Sequence, residues 1–107
     1  MLDEITHTIE RLRGQLEALA VRGIRAAGPD DVALLKAAGE EFERIGAEHL
    51  AERIGDVVRG IEQNDRHAAA ALLRAQTSLR LFDRVLTLDV AAGVLETLLA
   101  EDEDGQE

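Results

Sequence analysis

The apolar residues Leu2, Ile5, Ile9, Leu12, Leu16 and Leu19 step along the chain by 3, 4, 3, 4 and 3 positions. That alternation is an a/d seam, one apolar face on a helix whose other faces are polar. It predicts a first helix that stops at Gly23, a residue suited to the left-handed position just past a helix end. Gly14 falls opposite the seam, where it weakens the helix by about 1 kcal/mol relative to Ala without disturbing packing. The chain restarts at "AAGPDD". Gly28 reads as a cap, Pro29 as the first helical residue, and Asp30 and Asp31 as acids in the positive first turn. The second helix then buries Val32, Leu35, Phe42 and Ile45, with Ala38 and Gly39 on the same stripe. A glycine in that stripe lets a neighbouring backbone approach closely.

The tripeptide RIG occurs twice between Phe42 and Val58. Gly46, in the first copy, follows the last residue of one stripe, and a new stripe opens at Leu50, Ile54, Val57 and Ile61. The first RIG therefore ends a helix, and a very short turn makes the second and third helices antiparallel neighbours. Gly55 and Gly60 lie inside the third helix as tolerated weak points or close-contact sites. "QND" ends that helix, with Asn64 left-handed and Asp65 as the next N-cap. The fourth helix has the seam Ala68, Leu72, Ala75, Leu79, Phe82 and Leu86. Extending it would bury Asp89 and Gly93, which predicts a break near Leu88. Asp89 would then cap a short helix carrying Val90, Val94, Leu95 and Leu98. The expectation is an all-α chain: an up-and-down antiparallel four-helix bundle with a short fifth C-terminal helix over residues 1–100. An acidic disordered tail, residues 101–107, follows it.

Beside its seam the fourth helix carries Leu73, Leu81, Val85 and Leu88 on an adjacent row. A helix apolar over so wide an arc is either central in its own bundle or covered by a partner. Two readings stand. The short last helix folds back over this row, or a protein partner covers it, most simply a second copy in a homodimer. On the second reading Leu73, Leu81, Val85 and Leu88 are the partner-binding residues.

Composition supports this picture and narrows the chemistry. The chain of 107 residues is 46% apolar, with Phe42 and Phe82 its only aromatics and Pro29 its only proline. One domain with a modest aliphatic core fits that length. The net charge is -10, and five of the 22 acids lie in "EDEDGQE" at the end, leaving residues 1–100 at -5. An acidic body without a basic patch repels nucleic-acid phosphates and anionic membranes. No nucleic-acid or membrane partner is expected. The absence of cysteine excludes disulfides and thiolate metal sites. The start "MLDEITHTIE" lacks a signal-peptide pattern, and no apolar run approaches the roughly 18 residues of a membrane span. A cytoplasmic protein is expected. Eleven of the twelve basic residues are Arg, a usage that together with abundant Ala points to a GC-rich bacterial genome.

Three histidines raise the question of chemistry. Glu4 and His7 form one E-x-x-H, the spacing of carboxylate-bridged di-metal bundles. Such sites need a second copy of the motif, but Gly46 precedes His49 at that spacing and Asn64 precedes His67. Histidine phosphotransfer domains are acidic four-helix bundles with the pattern H-x-x-K-G. Here "HTIERLRG", "HLAERIG" and "HAAAALL" lack the Lys, and Arg11 or Arg53 is an imperfect substitute. His7 and His49 therefore support a phosphotransfer or metal-binding bundle only as the alternative reading. Ser78 is the only serine, placed mid-helix with no His near it in sequence. With no phosphate loop, zinc spacing or EF-hand either, the expectation is a non-enzymatic adaptor or small subunit of a bacterial multi-protein assembly. No cofactor, metal or small-molecule substrate is expected.

The segment "VRGIRAAGPDDVALLKAAGEEFERIGAEHLAERIGDVVRGI", with the helix through "LLRAQTSLRLFDRVL", resembles helical regions that accompany bacterial SWIM zinc-finger proteins. The shared feature is a rhythm over residues 21–86: a Gly-ended helix, a G-A-E-H-L turn and paired amphipathic helices. The cysteines and histidine of the SWIM zinc site are absent, so the resemblance implies neither zinc nor nucleic-acid binding and no site residue.

Overall fold

A computed structural model describes the backbone of residues 2–105 and the side chains of residues 3–100. Four α-helices make up nearly all of it: α1 (Leu2–Arg22), α2 (Pro29–Arg44), α3 (Glu48–Glu62) and α4 (Ala68–Gly105). A single 3-10 turn, Ile24–Ala26, joins the first two, and no strand occurs among the described residues. The fold is all-α. The most extensive packing is α2 on α3 and α3 on α4, while α1 lies against α4 and α2.

Paired contacts set the directions. Lys36 of α2 meets Glu62 of α3 at 3.1 Å, while Gly39 lies beside Ile54 and Ala51, so these helices run oppositely. Gly60 of α3 abuts Ala68, and Leu50 shares a groove with Leu81 and Val85, so α3 and α4 do too. Arg13 of α1 pairs with Asp83 of α4 at 2.6 Å, and Ile24 after α1 lies close to Ala68.

The turns follow from local chemistry. At the end of α2 the Ala47 N–H donates to the Phe42 carbonyl at 2.8 Å and the Gly46 N–H to the Glu43 carbonyl at 3.1 Å. This is a Schellman closure, and it needs the positive φ of 90° that Gly46 supplies. The end of α3 repeats it with Asn64 at φ 50°: Asp65 N–H donates to the Gly60 carbonyl and Asn64 N–H to the Ile61 carbonyl. The Asp65 carboxylate then accepts from the His67 N–H at 2.9 Å and steers the chain into α4. At the start of α2, Gly28 is the cap and Pro29 the first helical residue. The Asp31 carboxylate accepts the Gly28 N–H at 2.9 Å and meets Arg22 at 3.2 Å. The Gly28 N–H first, and the Arg22 guanidinium after a smaller opposing effect of burial, hold the Asp31 carboxyl below its ordinary range.

The core is aliphatic. Ile9, Leu12, Leu16 and Leu19 from α1 meet Leu35 and Phe42 from α2, Leu50, Ile54, Val57 and Val58 from α3, and Leu72, Ala75 and Leu79 from α4. Thr8 is the one buried polar residue among those described, and its hydroxyl lies 2.7 Å from a Glu41 carboxylate oxygen, tying α1 to α2. The charged carboxylate is a stronger acceptor for its single proton than the Glu4 carbonyl, 2.9 Å away. Ile45 departs from the expected core. It is 43% exposed because, as the C-cap of α2, it stands where the backbone leaves the helical path.

The separate fifth helix is the larger correction. From Ala68 to Gly105 the chain is one helix of 38 residues, with no break near Leu88 and no cap at Asp89. A break was expected because a continued seam would bury Asp89 and Gly93. Both are exposed, and nothing beyond its own stretch of helix backbone stands within 4 Å of where a Gly93 Cβ would be. By then α4 has run past the body of the protein, so its inward face meets nothing. The helix already reaches into the acidic end through Gly105, while Gln106 and Glu107 lie outside the described residues.

At Gly60, α3 packs tightly against Ala68, the first residue of α4. A Cβ there would stand 2.9 Å from the Ala68 Cβ and 3.0 Å from its Cα. Backbone would have to move, so Gly60→Ala should destabilise the fold by about 1–3 kcal/mol despite the better helix propensity of Ala. Gly14 meets nothing within 4 Å, and Gly14→Ala should instead stabilise by about 1 kcal/mol. Urea unfolding of the two variants tests the opposite signs.

Candidate interaction surface

The two halves of α4 live in different surroundings. From Ala68 to Leu86 one face is packed: Ala68, Ala71, Leu72, Ala75 and Leu79 are buried and Phe82 and Leu86 half-buried. From Thr87 to Ala100 every residue is exposed. A helix of 38 residues is about 57 Å long, which accounts for most of the molecule's 66 Å longest dimension. Its second half stands clear of the other three helices.

That half is not polar. Val94, Leu95, Leu98 and Leu99 are each more than half exposed, and Val90 more than a third. The four residues singled out from the sequence have the same character: Leu73 is 63% exposed, Leu81 59%, Val85 57% and Leu88 61%. No segment of the described chain covers them. They do not form a single row, however. At about 100° per residue, Leu73 lies roughly 80° around the helix from Leu81 and two turns away. Leu81, Val85 and Leu88 do share a stripe. It continues through Ala92, Leu95 and Leu99 at steps of 4, 3, 4, 3 and 4, a second a/d seam facing away from the body.

The inward seam fails at Asp89, and an expectation built on that seam ends the stripe at Leu88. The outward spacing runs through the same point without a fault, and that was the available signal.

Where the stripe reaches the body it borders a groove of about 360 Å³ between α4 and the turn joining α2 to α3. Gly46, Ala47, His49, Leu81, Phe82 and Val85 line it. Ser78 lines it too, so the fold brings the only serine near His49, although no hydrogen bond joins them among the described residues. No family model matches this chain, and neither does any curated protein or solved structure.

The other sites proposed from histidine do not converge. His7 is exposed on α1 beside an exposed Glu4, His49 is exposed on α3, and His67 precedes α4 and accepts from the Arg66 Nε at 3.4 Å. No group of three or more His, Cys, Asp or Glu among the described residues is placed to hold a metal ion. A surface depression of about 690 Å³ between α2 and α3 is charged, with Glu40, Glu43, Glu52 and Glu62 facing Lys36 and Arg59. No helix among the described residues is long and apolar enough to cross a membrane.

Proposed function

We propose that this protein is a non-enzymatic helical interaction module, a small cytoplasmic subunit or adaptor of a bacterial assembly. Its body is an up-and-down four-helix bundle, and it docks through the outward stripe of α4. One observation carries the reading: the five large aliphatic side chains of that stripe, Leu81, Val85, Leu88, Leu95 and Leu99, are each more than half exposed on a single helix. Isolated exposed leucines are ordinary, but a continuous run rimmed by charge marks a surface that another protein covers. The body supplies a rigid mount and the groove beside His49 a recess at the root of the stripe. The histidine readings receive no comparable support.

Leu81→Asp tests it. Leu81 is already exposed, so the bundle should keep its helix content and its urea midpoint to within about 0.5 kcal/mol. Complexes of the protein, with itself or with the products of adjacent genes, should dissociate at least tenfold more readily in native mass measurements. Complexes that persist undiminished would place the interface elsewhere.

A further inference from the structure

Resting on that reading of α4, we infer that the occupant of the stripe is a second copy of this chain, its α4 antiparallel to the first and centred on Val90. The order of side chains carries the orientation. The stripe reads Leu81, Val85, Leu88, Ala92, Leu95, Leu99. Turned end over end, it sets Leu81 on Leu99, Val85 on Leu95 and Leu88 on Ala92, each pair twice. The one small residue then always faces a leucine, so large fills small along the seam. A parallel pair in register would set Ala92 on Ala92 beside Leu88 on Leu88, leaving a void next to the widest layer.

Charge selects the same orientation. The first half of α4 carries exposed Arg74, Arg80 and Arg84, while Asp83 is paired with Arg13 of its own chain. Beyond Leu86 the sequence has Asp89, Glu96, Glu101, Asp102, Glu103, Asp104 and Glu107 and no base. Antiparallel pairing lays each acidic end along the arginines of the other copy. Parallel pairing would set the two acidic ends side by side, with the helix dipoles also aligned. There is room for the antiparallel end, since Arg74, Thr77, Arg80 and Leu81 are exposed.

The area suffices. The five large aliphatic residues of the stripe are each more than half exposed, so two copies together present apolar surface on the order of the roughly 1,000 Å² of a specific interface. A symmetric pair of identical patches also closes on itself and does not propagate.

The absence of cysteine gives a clean background for cross-linking. Val85→Cys and Leu95→Cys are purified separately, then oxidised under native conditions alone or after mixing to exchange subunits. The mixture should form a covalent heterodimer at least tenfold more than either variant alone, because residues 85 and 95 meet across the seam while each is about 15 Å from its own counterpart. Self-cross-linking of both variants as readily as the mixture would overturn the orientation and leave the docking face intact. A monomeric parent protein in sedimentation at about 100 µM, without cross-links, would overturn the second copy as occupant. In that case a complex with another protein that Leu81→Asp abolishes would preserve the docking reading, and loss of both results would remove it.

Discussion

Phe42→Ala is expected to remove about 3–5 kcal/mol of folding stability, the usual range for truncating a fully enclosed Phe. Phe42 is 0% exposed, and its ring meets Phe82 edge-on at 5.7 Å and 85°. The two rings bridge α2 and α4, helices whose backbones are not close neighbours. Shortening Phe42 therefore opens a hole between non-adjacent helices, which the remaining small aliphatic side chains cannot fill by a local shift. The edge-on contact adds about 0.5–1.5 kcal/mol beyond the buried area. A domain of this size has about 5–15 kcal/mol in total, so the variant should sit near its unfolding threshold at 37 °C. The measurement is the urea midpoint at constant m-value. Phe82→Ala should cost less, because Phe82 is only half-buried. A loss below about 1 kcal/mol for Phe42→Ala would mean that α2 and α4 are not joined through this pair.

The inward architecture was legible because three independent signals agreed. The α1 seam named its buried residues correctly from Ile9 to Leu19. Turn chemistry placed Gly46 and Asn64 at positive φ, and the Gly28–Pro29 pair opened α2 at the stated residue. Each is a local rule, and local rules are read from local sequence. The end of α4 was not legible in this way. A seam that stops being apolar means either that the helix ends or that the helix outruns what it packs on. Periodicity gives the faces of a helix and not the extent of its neighbours. α1 has 21 residues and α4 has 38, and only their alignment in space shows where support ends.

The surface was legible in part for the same reason. The excess of apolar residues on α4 could be counted, so Leu81, Val85 and Leu88 were named. Leu73 does not belong with them because it lies well around the helix, and Leu95, expected on a separate last helix, continues their stripe. With apolar residues over more than half the circumference, several stripes fit one helix. Which of them is outward depends on where α1 and α3 flank it.

A chain ending at Thr87 is expected to keep the bundle and lose the association. Leu86 is the last residue packed against the core, so removing everything beyond it exposes no new apolar surface in the body. The urea midpoint should move by less than about 1 kcal/mol, while sedimentation should show a monomer at every concentration. The 107-residue chain should behave differently in its last turns. A helix without tertiary contacts gains little from propensity alone, and a segment of this length is marginal in water by itself. Residues 88–100, all exposed in the single chain, therefore owe their helical stability to whatever covers them. Their amide hydrogens should exchange quickly in dilute protein and more slowly as concentration rises, whereas the amides of Leu72 to Leu79 should be protected throughout. Protection of residues 88–100 that is high and independent of concentration would show that the extension is stable alone, and pairing would then no longer be needed to explain it.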